Sequence, residues 1–249
     1  MKQLLYITVL LFSVIGMAQN EALFNQGKDN YKAEKYSEAI TNWKQIVDKG
    51  NHSAELYFNL GNAYYKLNQI GPSIYYYEKA QQLAPNDKEI KVNLAFAENA
   101  KVDVIEPLPK TVFSKWYNNI ASVFTYEGWA TATVVFSMLF VGFFLLYYFN
   151  ISEGKKRLFF TSAIVCVFLL IGGLSMAYLT FADVQNNKPA IVFAESVEIK
   201  TAPKMNSAAA FTLHEGTKVQ VLDSDGDWLR ISLADGKDGW IPKTDLKLL

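Results

Sequence analysis

The sequence predicts a multidomain chain: an all-α repeat array, a two-helix transmembrane hairpin and a small all-β barrel, in that order. Three observations predict it. Between Glu21 and Lys101 a pattern of aromatic and small residues returns after about 34 residues. Two stretches, 129–149 and 158–181, carry no charged residue, and at about 1.5 Å per residue each is long enough to cross a bilayer core. From Ala190 to Leu249 short runs alternate apolar with polar residues between turn dipeptides.

Composition excludes several function classes. Lys+Arg and Asp+Glu both number 24 in 249 residues, so no global field favours nucleic acid. Cys166 is the only cysteine, and His52 and His214 are the only histidines. No intrachain disulfide and no ordinary zinc cage follow from such a set, and neither metal nor cofactor is expected. Asp223, Asp225 and Asp227 alternate as in a calcium loop, but the twelfth position from Asp223 is Ala234, where such a loop needs an acid. Phosphate loops, nucleophile elbows and paired-histidine motifs are missing from the sequence. The apolar stretches carry no ionisable group of the kind that transporters need. The expectation is a binding protein and not an enzyme.

Residues 1–18 read as a secretory signal. Lys2 gives the positive start, Leu4 to Ile15 the apolar run, and Gly16-Met17-Ala18 the small residues at a cleavage site. No cysteine follows Ala18, so a lipid anchor is not expected there.

Residues 19–103 form the repeat domain, with repeats at 20–53 and 54–87 and a capping helix at 88–100. The second copy carries Tyr57, Leu60, Gly61, Tyr64, Tyr77, Ala80 and Pro85. The first carries Leu23, Gly27, Tyr36, Ala39 and Trp43, with Asn30 in place of a tyrosine. Large residues on one helix face a small site on its partner, and Pro85 stops the second helix. Asn86 is expected to cap the next helix, with Glu89 completing a capping box. Ser73 stands where an alanine is usual. This pattern resembles the tetratricopeptide repeat. The resemblance implies a groove for extended peptides along the first helix of each repeat, at Lys28, Tyr31 and Lys32, then Asn59, Asn62, Tyr65 and Lys66. Such donors suit acidic or C-terminal segments.

Residues 104–128 join the array to the hairpin. Glu106-Pro107-Leu108-Pro109 is stiff and extended. From Val112 to Phe124 the residues Phe113, Trp116, Tyr117, Ile120, Val123 and Phe124 gather on one helical face. Two readings stay open for it: a helix lying in the membrane interface, or a plain juxtamembrane linker. Spans at 129–149 and 158–181 flank a loop at 150–157 containing Lys155-Lys156-Arg157. Three cations in a short loop place it in the cytoplasm, and the signal sequence independently exports what precedes the first span. Tyr126, Trp129 and Tyr178 fall at the outer edge, Tyr147 and Tyr148 at the inner one. Gly173 with Ala177, and Thr133 with Ser137, offer small faces for helix packing within the hairpin or against partner spans.

Residues 188–249 form the barrel. Glu215-Gly216, Asp225-Gly226 and Asp235-Gly236 are its turn dipeptides. Leu213-His214-Glu215-Gly216-Thr217, Gly226-Asp227-Trp228-Leu229-Arg230-Ile231 and Gly236-Lys237-Asp238-Gly239-Trp240-Ile241 together resemble a bacterial SH3-like (SH3b) domain. Trp228 and Trp240 are the candidate ligand surface, each open to a core or a groove role.

The whole order resembles the BatE-type proteins of the Bacteroides aerotolerance (Bat) operon. That resemblance implies partners: membrane-bound von Willebrand A-domain proteins and a MoxR-like ATPase system. The expected function is a two-pass inner-membrane adaptor that binds membrane and periplasmic proteins from the periplasmic side. The alternative is a cell-wall protein whose SH3b domain grips peptidoglycan peptides. A signal transducer is disfavoured, because 150–157 is too short for an output domain.

Overall fold

The computed structural model describes residues 19–249, so the signal-sequence expectation lies outside the described residues. The chain forms two compact units. One is built from the described residues up to Pro107 together with Lys188–Leu249, and the other is Leu108–Asn187. The repeat array and the barrel, far apart in sequence, are therefore a single folded body.

The array consists of α1 (residues 19–32), α2 (Tyr36–Asp48), α3 (Ala54–Lys66), α4 (Ile70–Leu83) and α5 (Lys88–Asn99). Its pairs meet where the sequence puts a glycine opposite an aromatic ring. A Cβ on Gly61 would stand 2.6 Å from the Tyr77 ring, and one on Gly27 would overlap the Trp43 indole. Trp43, Leu56, Leu60, Ala63 and Ala80 are buried in the shared core. Ser73 is fully buried, yet its hydroxyl donates to the Gly61 carbonyl at 2.9 Å, which is why a polar residue is tolerated there. Ser53 caps α3 by accepting from the Leu56 amide. The cap of α5 corrects the sequence expectation: it is Asp87, not Asn86. Asp87 Oδ1 accepts from the amides of Glu89 at 2.8 Å and Ile90 at 3.2 Å, so Glu89 sits one position too early for a capping box.

The barrel is one seven-stranded antiparallel sheet. Its strands are β1 (Pro189–Val192), β2 (Ser196–Lys200), β3 (Ala209–His214), β4 (Lys218–Asp225), β5 (Trp228–Ser232), β6 (Asp238–Pro242) and β7 (Leu246–Leu248), in the order β3-β2-β6-β5-β4-β1-β7. Gly216, Gly226 and Gly236 all have positive φ, at 83°, 53° and 87°. The three turn dipeptides thus carry glycine where a side chain would be strained. Ile199, Ile231 and Ile241 fill the core, with Val219, Leu229 and Leu246 around them.

The second unit holds α6 (Val112–Ala121), α7 (Tyr126–Phe149) and α8 (Glu153–Asn186). Both α7 and α8 are long and apolar enough to cross a membrane. They extend beyond the apolar stretches at 129–149 and 158–181, and the link between them is only residues 150–152. Lys155, Lys156 and Arg157 accordingly lie in the first turns of α8, because Ser152 opens the helix directly before them. The two helices meet along a seam. On α8 it runs through Ala163, Cys166, Leu170, Gly173, Ala177 and Thr180, and on α7 through Trp129, Thr133, Phe136, Phe140, Phe143 and Tyr147. Steps of three and four residues keep such a stripe on one helix face, the geometry of left-handed packing.

Candidate peptide groove and the joint with the barrel

The groove is built on α1, α3, α4 and α5. A cavity of about 270 Å³ is lined by Tyr31, Asn62, Tyr65, Lys66, Tyr77, Asn93 and Phe96. Its polar centre is Asn62. Tyr77 donates its hydroxyl to Asn62 Oδ1 at 2.6 Å, and Asn93 Nδ2 donates to the same oxygen at 2.9 Å. Burial pushes the Tyr77 phenol well above its ordinary value, against the opposing hydrogen bond from Asn93, so it stays a proton donor. With its carbonyl held by two donors, Asn62 keeps its amide nitrogen for a ligand. Lys66 is the cation among the lining residues and none of them is acidic. The arrangement offers an amide donor and an ammonium between aromatic walls, which fits a carboxylate attached to an apolar or aromatic group.

Of the residues expected to form the groove, Tyr31, Asn62, Tyr65 and Lys66 are brought together, and Lys28, Lys32 and Asn59 do not line this cavity. Lys28 instead lies over the Phe24 ring, 5.5 Å from its centroid. Lys32 is exposed and Asn59 half-buried. Tyr31 also serves the core, edge-on to Tyr36 at 5.2 Å and tilted against Trp43 at 6.1 Å. Three lining residues were missed by sequence reasoning: Tyr77, Asn93 and Phe96. Tyr77 stands at a repeat-spaced position, and the spacing by itself gives no sign of a second role in the groove. Asn93 and Phe96 were findable, because α5 repeats α3 after the same step of about 34 residues. Leu56, Leu60 and Ala63 recur as Ile90, Leu94 and Ala97, all buried, and Asn59 and Asn62 recur as Asn93 and Phe96.

The barrel packs on α4 and α5, so the residues beneath it are no free surface. Ile70, Ile74, Tyr77, Leu94 and Ala97 pack with Ile191 of β1 in one buried cluster, and Tyr75 meets Phe193 edge-on at 5.4 Å. The contact is close enough to require glycine on both sides. A Cβ on Gly71 would lie 2.9 Å from the Val192 carbonyl oxygen, and one on Gly216 would lie 2.9 Å from Ile74 Cδ1. Polar groups border this cluster. Gln69 offers no side-chain cap to α4, and Glu215 of the β3–β4 turn accepts from the Gly71 amide at 3.1 Å instead. Lys218 Nζ lies 2.6 Å from Glu78 Oε1.

The irregular segment that leaves α5 completes the joint. Asp103 accepts from the His214 amide at 2.7 Å and from the Thr217 hydroxyl at 2.6 Å through Oδ2, while His214 Nδ1 faces Oδ1 at 2.8 Å. Burial raises the Asp103 carboxyl, but the hydrogen bonds from Thr217 and His214 outweigh it and hold the group below its ordinary value. Ile105 then packs against the barrel core. None of these residues was singled out for a joint in the sequence, since a pairing across more than 100 residues leaves no local period.

On the barrel, Trp228 and Trp240 both lie on the face of β5 and β6 away from the core, and both are half-buried. Cross-strand pairing sets Arg230 opposite Trp240 and Trp228 opposite Pro242. Arg230 is held by Asp238 through Nε at 2.9 Å and Nη2 at 2.6 Å. In the hairpin, Gly173 is buried on the seam and a Cβ there would stand 2.8 Å from Thr133 Oγ1, while Ala177 is half-buried one turn further on. Among the described residues no cluster of His, Cys, Asp or Glu is arranged to hold a metal ion.

Comparison with known families matches these parts separately. The tetratricopeptide repeat family matches residues 54–87, a TPR repeat family matches 27–68, and the bacterial SH3 domain family matches 195–247. The chain therefore carries a helical tetratricopeptide array and a bacterial SH3-type sheet, together with two long apolar helices. A search of the curated proteins finds no match. Among solved structures the chain is similar to an NlpC/P60 family protein from Bacillus cereus, at 21% identity and a TM-score of 0.22. That similarity covers 28% of this chain and 23% of the other.

Proposed function

We propose that the protein is a non-enzymatic, membrane-anchored adaptor that takes a carboxylate-bearing peptide segment of a partner protein into its repeat groove. The observation that carries this reading is Asn62, whose carbonyl is held by Tyr77 and Asn93 and which lines a cavity together with Lys66 and four aromatic rings. A surface built only for solvation has no need of two donors fixing one side chain. Both modules are of kinds that bind proteins or peptidoglycan, and their fusion makes one body with a peptide groove and an SH3-type face.

The same fusion supports the topology. Residues before Pro107 and after Lys188 pack into one unit with a buried apolar cluster, and such a body cannot straddle a hydrocarbon core. Both segments then lie on one side of the bilayer, with α7 and α8 crossing as a pair. The exported-type N-terminus and Lys155-Lys156-Arg157 favour the periplasmic side of an inner membrane. The order of parts resembles BatE-type proteins, which gives von Willebrand A-domain membrane proteins and a MoxR-like ATPase system as first candidates for the partner.

A second reading is favoured by the two tryptophans on one outer barrel face: capture of peptidoglycan peptides. A photo-crosslinking residue in place of Tyr65, and separately of Trp240, tests both in intact cells. The adaptor reading expects capture of a protein segment at Tyr65. Muropeptide adducts at Trp240 with none at Tyr65 would replace it with the wall-binding reading.

A further inference from the structure

We infer that α6 is an interfacial helix, lying along the membrane surface with its apolar face in the boundary between headgroups and acyl chains. The inference rests on reading α7 and α8 as a membrane hairpin. Thr111 starts α6 by accepting from the Ser114 amide at 3.1 Å. At 3.6 residues per turn, Val112, Phe113, Trp116, Tyr117 and Ile120 fall within an arc of about 140°, and Ser114, Lys115, Asn118 and Asn119 occupy the opposite side. None of its ten residues is buried, and Phe113 and Trp116 are 75% and 60% exposed. A helix this short is marginal in water on propensity alone, so the apolar face needs a surface to lie on.

The occupant follows from the level at which α6 is held. Tyr117 donates its hydroxyl to Asp183 Oδ2 at 2.5 Å. Asp183 is the first charged residue after the apolar run of α8, two positions beyond Phe181. At the same end of the hairpin Tyr126 meets Phe181 edge-on at 5.7 Å, and Phe124 meets Trp129 edge-on at 5.2 Å. The tie therefore fixes α6 where the hydrocarbon-matching surface stops and polar side chains begin. That is the depth at which tryptophan and tyrosine partition in a bilayer. A lipid surface continuous with the one around α7 and α8 covers the face without a further partner, and Lys110 and Lys115 stand ready for anionic headgroups.

The test uses the full chain with Cys166→Ser, reconstituted in phosphatidylcholine vesicles with and without phosphatidylglycerol. Nitroxides go singly at positions 113, 118, 135 and 51. Their accessibility to oxygen, which concentrates in acyl chains, is compared with that to a water-soluble nickel chelate. The oxygen-to-chelate ratio is expected to be several-fold higher at 113 than at 118, with 135 higher still and 51 lowest. A ratio at 113 equal to that at 118, with 135 still lipid-exposed, overturns the inference and leaves the hairpin intact. A label at 113 shielded from both reagents overturns it too, by showing protein on that face. If 135 itself reads as aqueous, the hairpin reading fails and α6 falls with it.

Discussion

The Glu215 carboxylate and the Gly71 amide are 144 residues apart in sequence and 3.1 Å apart in the fold. One belongs to a β-turn of the barrel, the other to the first turn of α4. A carboxylate at a helix N-terminus satisfies an otherwise unpaired N–H and opposes the positive end of the helix dipole. The barrel therefore supplies α4 with the cap that Gln69 does not.

Removing this cap has a bounded cost. Glu215→Ala is expected to destabilise the joined unit by about 1 kcal/mol, the usual range for a lost N-terminal cap. Gly71→Val should cost more, because its side chain starts 2.9 Å from the Val192 carbonyl oxygen and 3.2 Å from the Gly216 amide, both backbone atoms that cannot swing aside. Thermal unfolding of the full chain in mild detergent measures both. Equal midpoints for wild type and Gly71→Val would mean that array and barrel are not packed together.

Asp103 gives the joint a pH dependence with a definite sign. Its folded-state carboxyl is held below the unfolded value, burial being outweighed by hydrogen bonds from Thr217 and His214. The unfolded chain therefore binds the proton more readily. Stabilisation is complete above the ordinary aspartate range and is lost as pH falls through the lower folded value. Asp103→Asn should lower stability at neutral pH and flatten this acid loss, as read from unfolding midpoints between neutral pH and about pH 3. An unchanged acid slope in the variant would assign the effect to other carboxylates.

The groove separates two lysines that the repeat spacing alone treats alike. Lys66 lines the cavity, whereas Lys28 is engaged with the Phe24 ring. Lys66→Glu is expected to weaken peptide capture by roughly tenfold or more, the loss of one charge-assisted hydrogen bond. Lys28→Glu should have little effect, and both should keep the helical circular dichroism of the parent. Crosslink yield at Tyr65 in the two variants is the measurement, and equal losses would show that the binding path runs along α1 past Tyr31 as far as Lys28.

The legibility of the sequence followed the range of the interaction. Repeats, spans and turns are periodic or local: glycine facing a ring in the array, an uncharged run in the hairpin, glycine at positive φ in the barrel. The cap of α5 was misassigned by one residue because Asn86 and Asp87 are both good caps and only the dihedral path of the turn chooses between them. Four of the seven residues lining the groove are legible, from positions recurring on α1 and α3. Asn93 and Phe96 escape the reading of 88–100 as a capping helix, because no second repeat helix follows α5 to mark it as a third copy of α3. The joint between array and barrel was not legible at all. Glycines 71 and 216 sit in turns and helix starts, where glycine is expected anyway, so their second role against a facing backbone or side chain is hidden until the fold brings them together.

The hairpin offers a control that sits beside its own target. Gly172 and Gly173 are neighbours on α8, but a Cβ on Gly172 would meet nothing within 4 Å, while one on Gly173 would stand 2.8 Å from Thr133 Oγ1 and 3.8 Å from its Cα. Thr133 cannot easily yield. Its hydroxyl donates to the Trp129 carbonyl at 2.9 Å, and a β-branched side chain has few rotamers in a helix. Gly173→Leu should therefore separate α7 from α8 and destabilise the pair by about 1–3 kcal/mol, the usual range for overpacking. Gly172→Leu should leave the pair unchanged, since it adds apolar surface on an open face. Unfolding by titration with a denaturing detergent compares the two. A loss in Gly173→Leu alone assigns the small seam to packing within the hairpin. Equal stability, with a changed complex size for Gly173→Leu on native gels, would instead give the seam to a partner span.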